Sequence, residues 1–93
     1  MSPNFGKLGI IARDVAAERQ RQYLILSERE GFNTEDFFDV ADPLVDYGKK
    51  AAVLGEEFGE VCRAALQHKP VQELRKELIQ TMAVCAAWLE SLL

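Results

Sequence analysis

The sequence lacks the features that mark disulfide-bonded, zinc-binding and membrane-spanning chains. Its two cysteines, Cys62 and Cys85, lie in apolar helical patterns without a CxxC spacing, so we expect free thiols in a protein core. No apolar run approaches the roughly 20 residues needed to cross a membrane, and no signal peptide is recognisable. These absences predict a cytoplasmic protein that does not associate with membranes.

Positive charge is also scarce. The chain carries 11 Lys and Arg against 15 Asp and Glu, which gives a net charge of −4 at pH 7. Nucleic-acid affinity comes largely from basic side chains that neutralise phosphates, so we do not expect a nucleic acid polymer as partner. A small ligand that carries phosphate remains compatible with this charge, because a divalent cation can bridge two anionic groups.

Apolar residues, in contrast, are abundant and make up 48% of the 93 residues. This length predicts one domain spanning residues 1–93. A domain of this size buries only about 60–65% of its unfolded surface. The surplus of apolar residues therefore predicts that identical subunits complete the core, as a homo-oligomer that is either a dimer or a tetramer.

Three segments show helical periodicity, and none shows the alternation of a strand. The first predicted helix covers about 8–30 and stops at Gly31. The second covers about 43–68, with Pro43 in its first turn and Asp42 as its N-cap. The third covers about 71–92. The predicted fold is all-α, an antiparallel helical bundle of three main helices.

Each predicted helix has an apolar side. On the first helix this side is marked by Ile11, Val15, Arg19, Gln22 and Leu26. On the second it is marked by Leu44, Tyr47, Ala51, Leu54, Phe58, Val61 and Ala65. On the third the stripe is Leu74, Leu78, Met82, Cys85, Leu89 and Leu92, and the helix is apolar nearly all round from Met82 onward. Gly48, Gly55 and Gly59 either permit close helix approach or are simply tolerated.

Carboxylates interrupt these apolar sides at matching places. The second helix carries Glu56, Glu57 and Glu60, and the third carries Glu77 with Gln80 one turn beyond. Both groups lie about 7–13 residues from the turn at Lys69-Pro70, so they reach a similar height on antiparallel neighbours. Facing carboxylates repel one another, and a hard divalent cation such as Mg²⁺ relieves that repulsion. The alternative is a solvated face whose glutamates pair with Lys49, Arg63, Arg75 and Lys76.

This pattern resembles a known signature. Leu54–Val61, which reads LGEEFGEV, and Glu77–Gln80, which reads ELIQ, are similar to the ExxE and ExxD halves found in the MazG-like nucleoside triphosphate pyrophosphohydrolases. The resemblance covers roughly 49–92, with a weaker echo at Glu18–Gln22. Gln80 stands where the family has Asp. Its amide oxygen can coordinate a cation but adds no negative charge.

The resemblance implies an enzyme that hydrolyses a nucleoside triphosphate to the monophosphate and pyrophosphate. Its cofactor would be Mg²⁺, with Mn²⁺ as a substitute. Glu57, Glu60 and Glu77 would be the metal ligands, Gln80 an auxiliary ligand, and Glu56 the residue that orients or deprotonates the attacking water.

The phosphates of such a nucleotide also need polar and cationic partners. Lys50, Arg19 and Gln22 are the candidates for substrate binding, and the alternative for Lys50 and Arg19 is snorkelling or an ion pair. Two other functions stay open. The chain could bind nucleotide or metal with weakened catalysis, or it could be a purely structural helical oligomerisation module.

Overall fold

The computed structural model of the chain describes residues 1–28 and 38–93. Within these ranges the chain forms α1 (Phe5–Ser27), α2 (Tyr47–Leu66) and α3 (Val71–Ser91), and no strand. Helix α3 packs against both α1 and α2. The prediction of an all-helical, three-helix fold is confirmed. No helix in these two ranges has the length and apolar character that crossing a membrane requires.

Helix α1 begins three residues earlier than predicted. The side chain of Asn4 accepts a hydrogen bond of 2.9 Å from the backbone N–H of Lys7, which caps the first turn. The predicted end near residue 30 and the stop at Gly31 lie outside the described residues. The predicted apolar side of α1 is confirmed. Its members are all half-buried: Ile11, Val15, Arg19, Gln22 and Leu26.

Helix α2 begins at Tyr47, and the predicted start at Pro43 is wrong. Asp46 caps the helix by accepting a hydrogen bond of 3.1 Å from the N–H of Lys49. Asp42, the expected cap, instead accepts a bond of 2.8 Å from the N–H of Leu44 two residues on. Aspartate stabilises such local turns as readily as helix starts. The sequence therefore offered two possible N-caps four residues apart, Asp42 and Asp46.

Helices α2 and α3 form an antiparallel hairpin. The connection runs from Gln67 to Pro70, and His68 adopts a φ of 51° there. At the opposite end, the start of α2 lies beside the end of α3. The ring centroids of Tyr47 and Trp88 are 5.7 Å apart, and Lys50 bonds to Ser91.

The core of the described part is small. Val40, Val84 and Ala87 form its buried cluster. Half-buried side chains pack around this cluster: Phe38, Ala41, Val53, Leu54 and Trp88. Helix α3 therefore turns Ala83, Val84 and Ala87 inward and forms the middle of the fold.

The predicted apolar stripe of α3 faces mainly outward. Leu89 is 61% exposed, and Leu78, Met82 and Leu92 are also exposed. On α2, Phe58 is 60% exposed while Lys50 and Ala64 are buried. The predicted sides are correct for Leu54, Val61 and Leu74, which are half-buried, and wrong for these exposed members. On α3, periodicity does not select the inner side because the helix is apolar nearly all round. Both cysteines are free, yet Cys85 is exposed and Cys62 only half-buried.

Candidate functional site

Five glutamates form what we term the carboxylate cluster: Glu18, Glu56, Glu57, Glu60 and Glu77. Glu57 is its centre. Burial raises the pKa of Glu57, and the negative charges of Glu77, Glu60, Glu18 and Glu56 raise it further, in that order. The influence of Glu77, on α3, exceeds that of the neighbours on α2 itself. The two halves of the predicted motif therefore lie close together.

The cluster concentrates negative charge without a complete metal cage. Among the described residues, no three His, Cys, Asp or Glu side chains are arranged to hold a metal ion. Glu60 contributes to this, because it forms an ion pair of 3.0 Å with Arg63 on its own helix. Glu60 therefore adopts the alternative that the sequence left open, a glutamate paired with a neighbouring basic residue. Within residues 1–28 and 38–93, Glu57 and Glu77 form no ion pair.

A cleft of about 500 Å³ adjoins the cluster. Its wall is built from α1, residues 38–40, α2 and α3. The polar and charged lining residues are Arg19, Arg21, Gln22, Tyr23, Asp39, Glu56, Glu57 and Gln80. The apolar lining residues are Ile25, Leu26, Phe38, Val40, Val53, Val84 and Ala87. This volume is within the range of small-molecule sites, about 300–1,000 Å³.

The structure brings five of the predicted site residues to this cleft: Arg19, Gln22, Glu56, Glu57 and Gln80. Glu77 does not line the cleft, but its charge acts on Glu57. Glu60 also lies near Glu57 and turns toward Arg63.

Lys50 is placed differently from the expectation. It is 0% exposed, and its Nζ donates a hydrogen bond of 2.7 Å to Ser91 Oγ. Ser91 Oγ in turn donates a bond of 2.6 Å to the carbonyl oxygen of Trp88. Lys50 sits in the first turn of α2, against the last turn of α3. In this position it cannot contact a ligand in the cleft.

Two arginines of α1 line the cleft, and sequence reasoning named only Arg19. Arg21 forms two hydrogen bonds with Glu18, of 2.7 and 2.6 Å, and Gln22 adds a third of 3.1 Å. The hydrogen bonds to Glu18 raise the pKa of Arg21, and the negative charge of Glu57 adds to the effect. The polar run Glu18–Gln22 was the available signal for both Arg21 and Glu18.

The arrangement combines opposite charges around one space. Glutamates of α2, arginines of α1 and apolar side chains line the same cleft. Comparisons with models of protein families, with curated proteins and with solved structures found no match to this chain.

Proposed function

We propose that the chain is a magnesium-dependent hydrolase that converts a nucleoside triphosphate to the monophosphate and pyrophosphate. The observation that carries the proposal is the proximity of Glu57 on α2 to Glu77 on α3 beside a cleft that Arg19 and Arg21 line. A ligand that satisfies both features carries phosphate and brings a divalent cation. The resemblance to MazG-like pyrophosphohydrolases supports the same assignment.

The carboxylates fit magnesium in chemistry and charge. Glu57 and Glu77 would hold the ion, with Glu60 and the amide oxygen of Gln80 as additional donors. Magnesium commonly uses one or two carboxylates, and water and substrate phosphate supply its other ligands. Release of Glu60 from Arg63 would cost little, since an exposed ion pair contributes about 0–1 kcal/mol. The bound ion would neutralise phosphate oxygens and lower the pKa of a coordinated water.

The remaining cleft residues have separate roles in the proposal. Arg19 and Arg21 attract the phosphates, and Gln22 offers a further donor near them. Glu56 is the carboxylate that orients the attacking water. The apolar part of the wall, with Phe38 and Val53, would cover the sugar and the base.

The direct test is release of pyrophosphate from a panel of ribonucleotides and deoxyribonucleotides in the presence of magnesium. Glu57→Gln and Glu77→Gln are expected to reduce turnover at least about 100-fold, because each removes a charge from the cation site. Glu73→Gln is the matched control, since Glu73 is an exposed glutamate in the first turn of α3. The absence of pyrophosphate release across the whole panel would contradict an enzymatic function.

The second candidate is a nucleotide-binding protein with weakened catalysis. Gln80, an uncharged side chain in the cleft wall, favours it. Gln80→Asp separates the two functions, because it adds the missing negative charge. A variant that gains turnover while the original chain binds magnesium nucleotide without hydrolysis would support the second candidate.

We also propose a second copy of the chain as partner. Leu78, Met82, Cys85, Leu89 and Leu92 follow intervals of four and three residues, the spacing of a coiled-coil seam. They are exposed, and a groove of about 210 Å³ lies between Cys85, Trp88, Leu89 and Leu92. Leu89→Glu is expected to yield monomers in light scattering. Leu44→Glu, which changes an exposed leucine outside the stripe, is the control.

If oligomers form but neither nucleotide nor magnesium binds, the chain is a purely structural oligomerisation module. We place the protein in the cytoplasm, where free thiols such as those of Cys62 and Cys85 persist.

A further inference from the structure

Glu90, in the last turn of α3, holds a residue of the cleft without lining the cleft itself. Its Oε1 accepts a hydrogen bond of 3.0 Å from Arg19 Nε, and its Oε2 accepts one of 3.1 Å from Arg19 Nη2. The two bonds form a bidentate pair, which fixes both the position and the plane of the guanidinium group. The pair joins α1 to α3 across 71 positions of the sequence.

Arg19 bonds to Glu90 and also lines the cleft. Its side chain is 14% exposed, whereas that of Glu90 is 53% exposed. A guanidinium group has five N–H donors, and the pair with Glu90 uses one on Nε and one on Nη2. The donors on the other edge, on Nη1 and Nη2, are not part of this pair. That edge therefore retains donors for a phosphate while Glu90 keeps the first edge.

We propose that Glu90 is a positioning residue for phosphate binding, which acts by holding the guanidinium group of Arg19 in the cleft wall. This inference rests on the proposed function, since it assigns Arg19 to the phosphates of the nucleotide. Without Glu90, the guanidinium group loses the two bonds that fix its plane and must be ordered when the ligand binds. The same bonds raise the pKa of Arg19 and lower that of Glu90, so both groups stay charged over a wide range of pH.

The test is calorimetric titration with magnesium tripolyphosphate, which has the phosphates of a nucleotide and no base. Glu90→Ala is expected to weaken binding about 3- to 10-fold, the effect of ordering one long side chain on binding. Glu90→Asp should recover part of this loss, because it keeps a carboxylate. Glu73→Ala is the control for removing an exposed glutamate from α3.

A double substitution separates positioning from a general structural effect. Arg19→Ala should weaken binding at least as much as Glu90→Ala, and the two together should weaken it no more than Arg19→Ala alone. Circular dichroism confirms that each variant is folded, and Glu90→Gln, which preserves the side-chain volume, replaces Glu90→Ala if that variant unfolds.

The remaining outcomes overturn the inference in distinguishable ways. Unchanged or tighter binding by Glu90→Ala, with normal binding by the unsubstituted chain, overturns the role of Glu90 and leaves the proposed function intact. A loss of binding that persists in the Arg19→Ala background also overturns it, because Glu90 would then act elsewhere. If the unsubstituted chain binds neither tripolyphosphate nor any nucleotide, both the inference and the proposed function fail.

Discussion

Removal of the Ser91 hydroxyl is expected to destabilise the packing of α2 against α3 at the end of the hairpin. Lys50 has no exposed surface, and its Nζ donates to Ser91 Oγ at 2.7 Å. The same oxygen donates to the carbonyl of Trp88 at 2.6 Å. Ser91→Ala breaks both bonds and removes an acceptor from a buried amine.

The magnitude follows from these contacts. A lost hydrogen bond costs about 0.5–1.5 kcal/mol, and a buried polar group without a partner costs about 1–3 kcal/mol. We therefore expect Ser91→Ala to lower the free energy of unfolding by about 2–3 kcal/mol. For a domain of this size, 1 kcal/mol corresponds to roughly 4–8 °C in Tm. The expected fall in Tm is accordingly about 8–24 °C.

Thermal unfolding followed by circular dichroism, together with urea titration, measures this effect. Lys50→Met is the companion variant, because it removes the buried amine and keeps an unbranched side chain of similar length. In the Lys50→Met background, Ser91→Ala should cost only about 1 kcal/mol, since no amine is left without its acceptor. A fall in Tm below about 2 °C for Ser91→Ala, or equal costs in both backgrounds, would refute the reasoning.

The carboxylate cluster and α2 provide the remaining predictions. Because the folded-state pKa of Glu57 is raised, the folded chain binds this proton more tightly, and stability falls as pH rises above the usual glutamate range. Glu57→Gln should therefore raise Tm at pH 7 in EDTA, and it should give no such gain below pH 4. Magnesium at about 10 mM should stabilise the original chain by about 1.4 kcal/mol if its Kd is about 1 mM; Glu77→Gln should abolish this shift, and an equal shift in that variant would exclude Glu77 as a ligand. Gly55→Ala should stabilise α2 by about 0.5–1 kcal/mol, because a Cβ there meets nothing within 4 Å; a lower Tm in urea-free melts would indicate that another subunit packs against this position.

The helices and the pairing of the two motif halves could be predicted from the sequence, because both depend on local spacing. The half-buried side of α1 follows from steps of three and four residues between Ile11 and Leu26. The proximity of the two motif halves, which contain Glu57 and Glu77, follows from their similar distances to one short turn. Both are properties of neighbouring segments, for which helix geometry alone is sufficient.

The buried faces of α2 and α3 could not be predicted in the same way. Apolar residues surround α3 after Met82, so the choice of Val84 and Ala87 as its inner side depends on what packs against it. The burial of Lys50 has the same origin. A lysine is rarely fully buried, and within residues 1–28 and 38–93 it is the Ser91 hydroxyl, on another helix, that compensates Lys50 for its loss of water. Ion pairs such as Arg19–Glu90 also join distant positions and leave no periodic signal.

Helix α3 connects these separate observations, because within the described residues it is the helix that packs against both others. Along its length it places Glu77 beside Glu57, Gln80 in the cleft wall and Glu90 against Arg19. The groups proposed to bind the cation and the phosphates are therefore both connected to this one helix. A shift of α3 along its axis would move both groups together and would separate each from its partner on α1 or α2. The buried contact of Ser91 with α2 opposes such a shift, so its loss is expected to weaken ligand binding as well as the fold.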